Sequence, residues 1–257
     1  MNKFNGNNLG EINDCWIDGH CHLCNEPLTE TFDDEIDQAY EYDIKLFLST
    51  ALNRNEIDWH LDNIHPEIKL VAGIHPFYDK SNIKDFDYLV EQCRNKKLWG
   101  IGEVGYDNRK NNHNYQKNIL YQQLELAVKY DLPVVFHVVH RYNELYQTLK
   151  NDFPTIRGFI HGFNGSLELV EMLSRLDIGF SLGYKILQNK DAYSVIRRII
   201  RRGLVVFETD SPFQKSPESA NYLTGLSFLI DSISDLCEYY KEDLMDKQWS
   251  TFRKISS

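Results

Sequence analysis

The residues best suited to chemistry are histidines and carboxylates at the ends of short apolar runs. His20 and His22 stand two residues apart in WIDGHCHL, and residues two apart in an extended strand point to the same face. The two imidazoles can therefore hold one cation together. Cys21 lies between them and points to the opposite face. With Cys24 it forms a Cys-x-x-Cys, but a redox pair of that kind usually opens a helix, whereas this one closes a strand-like run. The cysteines are interpreted as packing residues.

Four more side chains of this kind follow other apolar runs. They are Glu103 in LWGIGEVG, His137 in LPVVFHVV, His161 in IRGFIHGF and Asp210 in LVVFETD. A lone histidine at such a place is more often a hydrogen-bonded core or loop residue. Four imidazoles and two carboxylates together are costly to bury without a compensating cation. Imidazole and carboxylate suit Zn, Mn or Mg, and six ligands predict two divalent metal ions about 3.5–4 Å apart.

The elements that must position these residues are eight short β-rich runs. Their continuous apolar character is typical of parallel strands covered by helices. The runs are 15–22, 44–50, 68–75, 98–105, 132–139, 156–163, 177–184 and 204–210. Helical spacing is found at 81–96, 114–131, 166–176 and 188–202, and 221–257 is predicted to form one or two closing helices.

Eight strands with helical crossovers predict an α/β fold, a (β/α)8 TIM barrel, as a single domain over 1–257. A doubly wound open sheet is the competing architecture. In a barrel the carboxyl ends of all strands meet on one face, where catalytic groups are assembled from several strands. The polar residues described above all stand at or near those ends.

Charge and composition restrict the partners. The formal charge of −10 argues against broad electrostatic attraction to nucleic acid or anionic membranes. Two divalent cations beside two carboxylates leave a local positive surplus, so an anionic substrate can still be attracted at the site. The five scattered cysteines do not favour a disulfide framework. Without an apolar run of about 18–20 residues, and with an opening segment unlike a signal peptide, a cytoplasmic protein without membrane association is predicted.

Seven motifs, in order along the chain, resemble the TatD-type metal-dependent deoxyribonucleases, which belong to the amidohydrolase-like TIM barrels. The motifs are IDGHCHL (17–23), AGIHPF (72–77), IGEVGYD (101–107), LPVVFH (132–137), IHGFNGS (160–166), GFSLGY (179–184) and ETDSPF (208–213). The resemblance implies a divergent member that hydrolyses phosphodiester bonds of DNA, and in some members RNA. Members of the family often act as 3′→5′ exonucleases, with a metal-activated water as the nucleophile.

The resemblance also assigns roles to individual residues. The implied ligands are His20, His22, Glu103 and Asp210 for one metal, and Glu103, His137 and His161 for a second. Asp210 and Glu103 are the implied catalytic carboxylates, and Asp210 orients or deprotonates the attacking water. His75 either contacts a substrate phosphate or packs as a loop histidine. Asp107 orients a ligand histidine through its other ring nitrogen, and Glu208 supports the ligands rather than binding metal.

One departure from the family pattern concerns phosphate binding. The family commonly has Arg two residues after the strand-five histidine, but this chain has Val139 there. Arg supplies a planar fork for phosphate that Val cannot supply. Arg141 and Lys185 are the candidates to replace it. The segment after ETDSPF also lacks the family's Arg-Asn-Glu/Asp-Pro stretch, so that wall of the substrate groove is expected to be shortened or rebuilt.

Two further features have both a functional and an ordinary interpretation. The Arg-rich stretch 195–203 is interpreted as a solvated helix end in preference to a nucleic-acid patch. Several aromatic residues follow the strand ends, where they either stack on bases or pack the barrel rim. They are Phe77, Tyr78, Tyr106, Phe163, Tyr184 and Phe213.

The sequence leaves three functions open. The favoured one is a DNase acting on DNA, on single strands or 3′ ends, with RNA as a further substrate. The first alternative is another amidohydrolase-like hydrolase that cleaves an amide, a lactone or a small phosphoester, because function resides in the site rather than in the fold. The second is a conditionally active subunit of a multiprotein assembly, since divergent TatD-like proteins are also encoded in antiviral defence operons.

Overall fold

The computed structural model describes residues 14–216, 219 and 221–257. The prediction that no signal peptide opens the chain concerns residues 1–13 and lies outside the described residues. The assignment of 1–257 to a single domain stays a prediction for the same reason. Among the described residues, no helix combines the length and apolar character needed to cross a bilayer.

Among the described residues, eight parallel strands form one sheet, and each strand pairs with its neighbour in sequence, which confirms the TIM barrel and excludes the doubly wound sheet. The strands are β1 (Trp16–Cys21), β2 (Ile44–Ala51), β3 (Ile68–Ala72), β4 (Gly100–Asp107), β5 (Val134–Val139), β6 (Gly158–Ile160), β7 (Ile178–Leu182) and β8 (Val205–Phe207). Backbone bonds just past β8 join it to β1. Asp210 N donates to the His20 carbonyl at 2.9 Å, and His22 N donates to the Ser211 carbonyl at 2.7 Å.

The α-helices within the described residues cover the outside of the sheet. They are α1 (Phe32–Glu41), α2 (Arg54–Asp62), α3 (Phe86–Arg94), α4 (His113–Tyr130), α5 (Tyr142–Asp152), α6 (Leu167–Leu173), α7 (Ala192–Arg202), α8 (Gly225–Cys237) and α9 (Lys241–Ser256). Short 3-10 helices lie at Ile83–Asp85 and Tyr184–Gln188. The predicted helical stretches contain α3, α4, α6 and α7, and the closing segment forms two helices.

The interior of the barrel has an apolar layer below a polar one. On β5, Val135 lies in the apolar layer, and His137 comes two residues later on the same face. Phe159 and His161 repeat this order at β6. Helix α9 closes the apolar end, where the Trp249 indole N–H donates to the Cys15 carbonyl at 2.7 Å. The polar layer therefore lies at the carboxyl ends of the strands.

Candidate metal centre

Glu103, on β4, lies at the centre of a buried cluster of histidines and is only 3% exposed. Its Oε1 is 3.5 Å from Nε2 of His20 and 3.3 Å from Nε2 of His22. Its Oε2 is 3.0 Å from Nδ1 of His137 and 2.6 Å from Nε2 of His161. The two oxygens of one carboxylate therefore face two different pairs of imidazoles.

The first pair, together with Asp210, forms what we call the β1/β8 half-site: His20, His22 and Asp210. Asp210 Oδ1 is 3.8 Å from Nε2 of His20 and 3.7 Å from Nε2 of His22. Behind the rings, the Thr50 carbonyl accepts from Nδ1 of His22 at 3.1 Å, and Thr50 Oγ1 is 3.3 Å from Nδ1 of His20. With the proton on Nδ1, each Nε2 presents a lone pair to the space beside Glu103.

The second pair forms the β5/β6 half-site: His137 and His161. Nε2 of His137 donates to Asp107 Oδ2 at 2.8 Å, so its Nδ1 faces Glu103. Nδ1 of His161 is 3.8 Å from Glu208 Oε1, which also accepts from Gly162 N at 2.6 Å. Carboxylates thus lie behind the rings of this half, whereas a carbonyl and a hydroxyl oxygen lie behind those of the other.

Charge in the cluster fits a bound cation. Burial opposes ionisation of Glu103, but the charge of His161 and the close contacts of the carboxylate with the His137 and His161 rings hold its pKa well below the ordinary value. Burial alone disfavours a charged His161, yet Glu103 and Glu208 hold the pKa of His161 well above the ordinary value. The carboxylates therefore stabilise positive charge at the place where a metal ion would supply it.

An unpartnered buried nitrogen points to the same conclusion. Nε2 of His20 makes no hydrogen bond with any described residue, and burial lowers the pKa of His20 to about 4, which keeps the ring neutral at pH 7. A buried polar atom without a partner is costly. A divalent ion that accepts this lone pair removes the cost, and imidazole nitrogen with carboxylate oxygen is a donor set that Zn and Mn accept.

Three groups of side chains bring their ligand atoms within 4.8 Å of one another: His20–His22–Asp210, His20–Glu103–His161 and His75–Glu103–His137. Hydrogen bonding argues against ligation by His75. Its Nδ1 accepts from the backbone N–H groups of Phe77 at 2.9 Å and Tyr78 at 2.8 Å, so the ring proton is on Nε2. That nitrogen lies 3.6 Å from Glu103 Oε2 and is a donor rather than a ligand.

Asp210 is held in place by a clamp that the sequence motifs did not reveal. It follows Thr209, whose backbone N–H and hydroxyl both donate to the Asp18 carboxylate, at 3.0 and 2.6 Å. Asp210 has a φ of 54°, in the left-handed region that a residue with a side chain rarely adopts. The clamp joins the end of β8 to β1 and supports this conformation beside His20.

Arg141 and Lys185, the two residues predicted to bind phosphate, differ in their contacts and exposure. The Arg141 guanidinium lies 4.4 Å from the Tyr106 ring centre, pairs with Glu144 and donates to Gln116 Oε1 at 3.2 Å. Lys185 is exposed on the 3-10 helix after β7. The motifs did not identify Arg109, whose Nε donates a hydrogen bond to Asp107 Oδ1 at 2.9 Å.

The aromatic residues at the strand ends differ in their exposure to solvent. Phe163 is 1% exposed and packs against Phe180, with ring centres 4.7 Å apart, so it belongs to the core. Phe213 is 57% exposed, and its ring centre lies 4.8 Å from that of His22. Phe213 therefore offers an open aromatic face beside the β1/β8 half-site.

In the Arg-rich helix α7, Arg198 and Arg202 pair with Glu171, consistent with a solvated helix surface.

The sequence is similar to several known proteins. An uncharacterized metal-dependent hydrolase of Mycoplasma pneumoniae is 27% identical over 216 residues, which cover 77% of this chain and 81% of that protein. A putative deoxyribonuclease of Danio rerio, tatdn3, is 24% identical over 215 residues, with 77% and 80% covered. The crystal structure of YjjV, a TatD homologue from Escherichia coli K12, matches with a TM-score of 0.84 at 21% identity and covers 93% of this chain and 97% of that chain.

At that identity the structural likeness shows a shared fold, and the family follows from the sequence itself. A family model described as TatD related DNase matches residues 17–256, which is nearly the whole chain and includes every residue of the metal centre. The chain therefore belongs to the TatD-related DNase family.

Proposed function

We propose that this protein is a divalent-metal-dependent hydrolase that cleaves phosphodiester bonds of DNA from a 3′ end. The observation that carries the proposal is Glu103, whose two oxygens face the two histidine pairs at 2.6–3.5 Å. A carboxylate shared in this way is suited to two neighbouring ions, the arrangement used by many phosphatases and nucleases. The family description and the putative deoxyribonuclease among the relatives support DNA as the substrate.

The chain's own residues divide the work. The β1/β8 half-site with Glu103 would hold one ion, and the β5/β6 half-site with Glu103 would hold the other. Bound ions of this kind supply an acidified water and neutralise charge on the phosphoryl and leaving oxygens. We propose Asp210 as the proton acceptor for the attacking water; its Oδ2 accepts a hydrogen bond from Gln214, and its Oδ1 faces His20 and His22.

Two further residues are proposed to contact the substrate. His75 has its Nε2–H directed into the cluster, and burial lowers its pKa to about 4, so it is a neutral donor to a phosphoryl oxygen at pH 7. Phe213 offers its exposed ring to a nucleobase, and stacking of that kind tolerates any sequence. Both contacts are suited to an unpaired strand, where the bases are accessible.

The test is cleavage of end-labelled single-stranded DNA with Mg, Mn or Zn. Single strands labelled at the 5′ end should shorten progressively, and the Asp210→Asn protein at equal metal loading should be strongly impaired. An RNA strand of the same sequence in parallel determines whether RNA is also a substrate. Endonucleolytic cuts, or no cleavage with any of these metals, would contradict the proposal.

A second candidate is hydrolysis of an amide, a lactone or a small phosphoester at the same centre. Its supporting observation is that Val139 offers no fork for phosphate and that Arg141 is already engaged by Glu144 and Gln116. Turnover of such esters or amides by protein that leaves DNA intact would favour this candidate. If neither class of substrate is turned over until a co-purifying protein is added, the chain acts as a subunit of an assembly.

A further inference from the structure

A solvent-open cavity of about 530 Å³ lies at the carboxyl end of the barrel and is lined by both polar and apolar groups. Its walls include Asn108, His140 and Asn164, in the segments that follow β4, β5 and β6. His140 and Asn164 each come three residues after a histidine of the half-site, and consecutive Cα atoms are about 3.8 Å apart. The cavity therefore begins within roughly 11 Å of His137 and His161.

The chemistry of the wall selects against a charged ligand. Among the lining residues, Arg141 and Glu144 carry opposite full charges, and they pair with each other. The remaining polar side chains are amides, imidazoles and the Tyr142 hydroxyl, which can both donate and accept hydrogen bonds. The cavity volume falls in the usual range for sites that take small organic groups. A neutral, flat group with donors and acceptors on its edge fits this wall better than a second phosphate does.

One of the amides is already oriented. Asn189 Nδ2 donates to Asn164 Oδ1 at 2.9 Å and to the Gly165 carbonyl at 3.1 Å, which fixes the rotation of the Asn164 amide. The Nδ2 group of Asn164 makes no hydrogen bond with a described residue and is available as a donor. Asparagine amides bind base edges with paired hydrogen bonds, and an oriented amide loses less freedom when it does so.

We propose that this cavity is a nucleobase subsite, which receives the base of the nucleotide next to the scissile phosphodiester while the metal centre holds the phosphate. This inference rests on the proposed function and adds to it a contact with the base itself. Asn164 is the principal hydrogen-bonding residue, and Asn108 also lines the cavity.

The experiment compares two substrates with four proteins. One single-stranded DNA has normal nucleotides throughout, and the other lacks the base at the terminal position. The proteins are the wild type, Asn164→Leu, Asn108→Leu and, as the matched control, Asn151→Leu. Asn151 is exposed on α5, bonds to Gln147 and does not line the cavity. For each protein, kcat/KM is measured on both substrates.

We expect the wild type and Asn151→Leu to prefer the normal strand by about tenfold or more, the size of one good base contact. In Asn164→Leu and Asn108→Leu the ratio should fall towards one. Equal cleavage of both substrates by the wild type, or an unchanged ratio in both cavity variants, overturns the subsite while leaving the nuclease proposal intact. Absence of cleavage of either strand by the wild type overturns both. The Asn108 side chain makes no hydrogen bond with a described residue, so Asn108→Leu is expected to fold. This variant tests the subsite if Asn164→Leu fails to fold.

Discussion

The two halves of the metal centre hold their histidines in different ways. In the β1/β8 half-site, the far nitrogens of the rings meet the carbonyl and hydroxyl of one residue, Thr50. In the β5/β6 half-site, the far nitrogen of His137 meets the Asp107 carboxylate, which Arg109 holds in turn. A carboxylate behind an imidazole raises its basicity and fixes its orientation more strongly than a neutral oxygen does. The halves should therefore depend to different degrees on the residues behind their ligands.

The strongest test removes the residue that the halves share. Glu103→Gln keeps the size of the side chain but loses its charge and one ligand oxygen. Because both histidine pairs face this carboxylate, we expect both ions to bind poorly and kcat/KM to fall by about 10³-fold or more. Metal per chain is measured by elemental analysis after dialysis. One ion retained at wild-type affinity would show that the halves do not share Glu103.

The next test affects the β1/β8 half-site alone. Asp210→Asn removes the negative charge that faces His20 and His22 and the proposed proton acceptor. We expect kcat to fall by about 10²–10⁴-fold, the usual contribution of general acid–base catalysis. The ion of the β5/β6 half-site should remain. Loss of both ions in this variant would show that the halves bind metal cooperatively.

A third test removes the charge behind the β5/β6 half-site. Despite its burial, hydrogen bonds from His137 and Arg109 hold the pKa of Asp107 well below the ordinary value, so the carboxylate is ionised at neutral pH. Asp107→Asn should weaken metal binding at this half by about 10–100-fold. Asp235→Asn, an exposed position on α8, is the matched control. Titration calorimetry with Mn or Zn reports the affinity, and equal affinities in the two variants would refute the role of Asp107.

The smallest effect is expected behind the β1/β8 half-site. Thr50→Val removes the hydroxyl beside His20 but keeps the backbone carbonyl that accepts from His22. One neutral hydrogen bond contributes about 0.5–1.5 kcal/mol, so metal affinity should fall by about tenfold or less. Thr50→Ser restores a hydroxyl and should restore the affinity. A loss as large as that of Asp107→Asn would remove the contrast between the halves.

Strand parity explains why the clustering of these histidines could be predicted from the sequence. In β5 and β6 an apolar residue and a histidine follow one another at a spacing of two, and the barrel turns that spacing into two layers. The partners behind the rings could not be predicted in this way. Thr50 lies on a different strand from the histidines that it contacts. The clamp between Asp18 and Thr209 joins residues that are 191 positions apart in the sequence.

The arginines show a second limit of spacing. Arg141 lies two residues after Val139, which made it a candidate phosphate ligand. Its contacts with the Tyr106 ring, Glu144 and Gln116 decide where the guanidinium lies. Glu144 is a local partner three residues away, but Tyr106 and Gln116 are distant in sequence and not predictable from local spacing. Helices α1, α2 and α5 were not identified either. Each has only 9–11 residues, against 18 in α4, so its apolar stripe repeats only a few times and is a short signal.

The contact between α9 and β1 has a consequence for the order of events during synthesis. Gln248 exchanges hydrogen bonds with the backbone of Ile17, and the Trp249 indole bonds to Cys15, across more than 230 residues of chain. Strand β1 carries His20 and leads directly into His22, and it is synthesised long before Gln248 and Trp249. Since contacts this distant in sequence form only after the intervening chain is present, β1 gains the support of α9 only once α9 has emerged from the ribosome. A ribosome-bound chain that ends before α9 is expected to bind metal less tightly than the released protein.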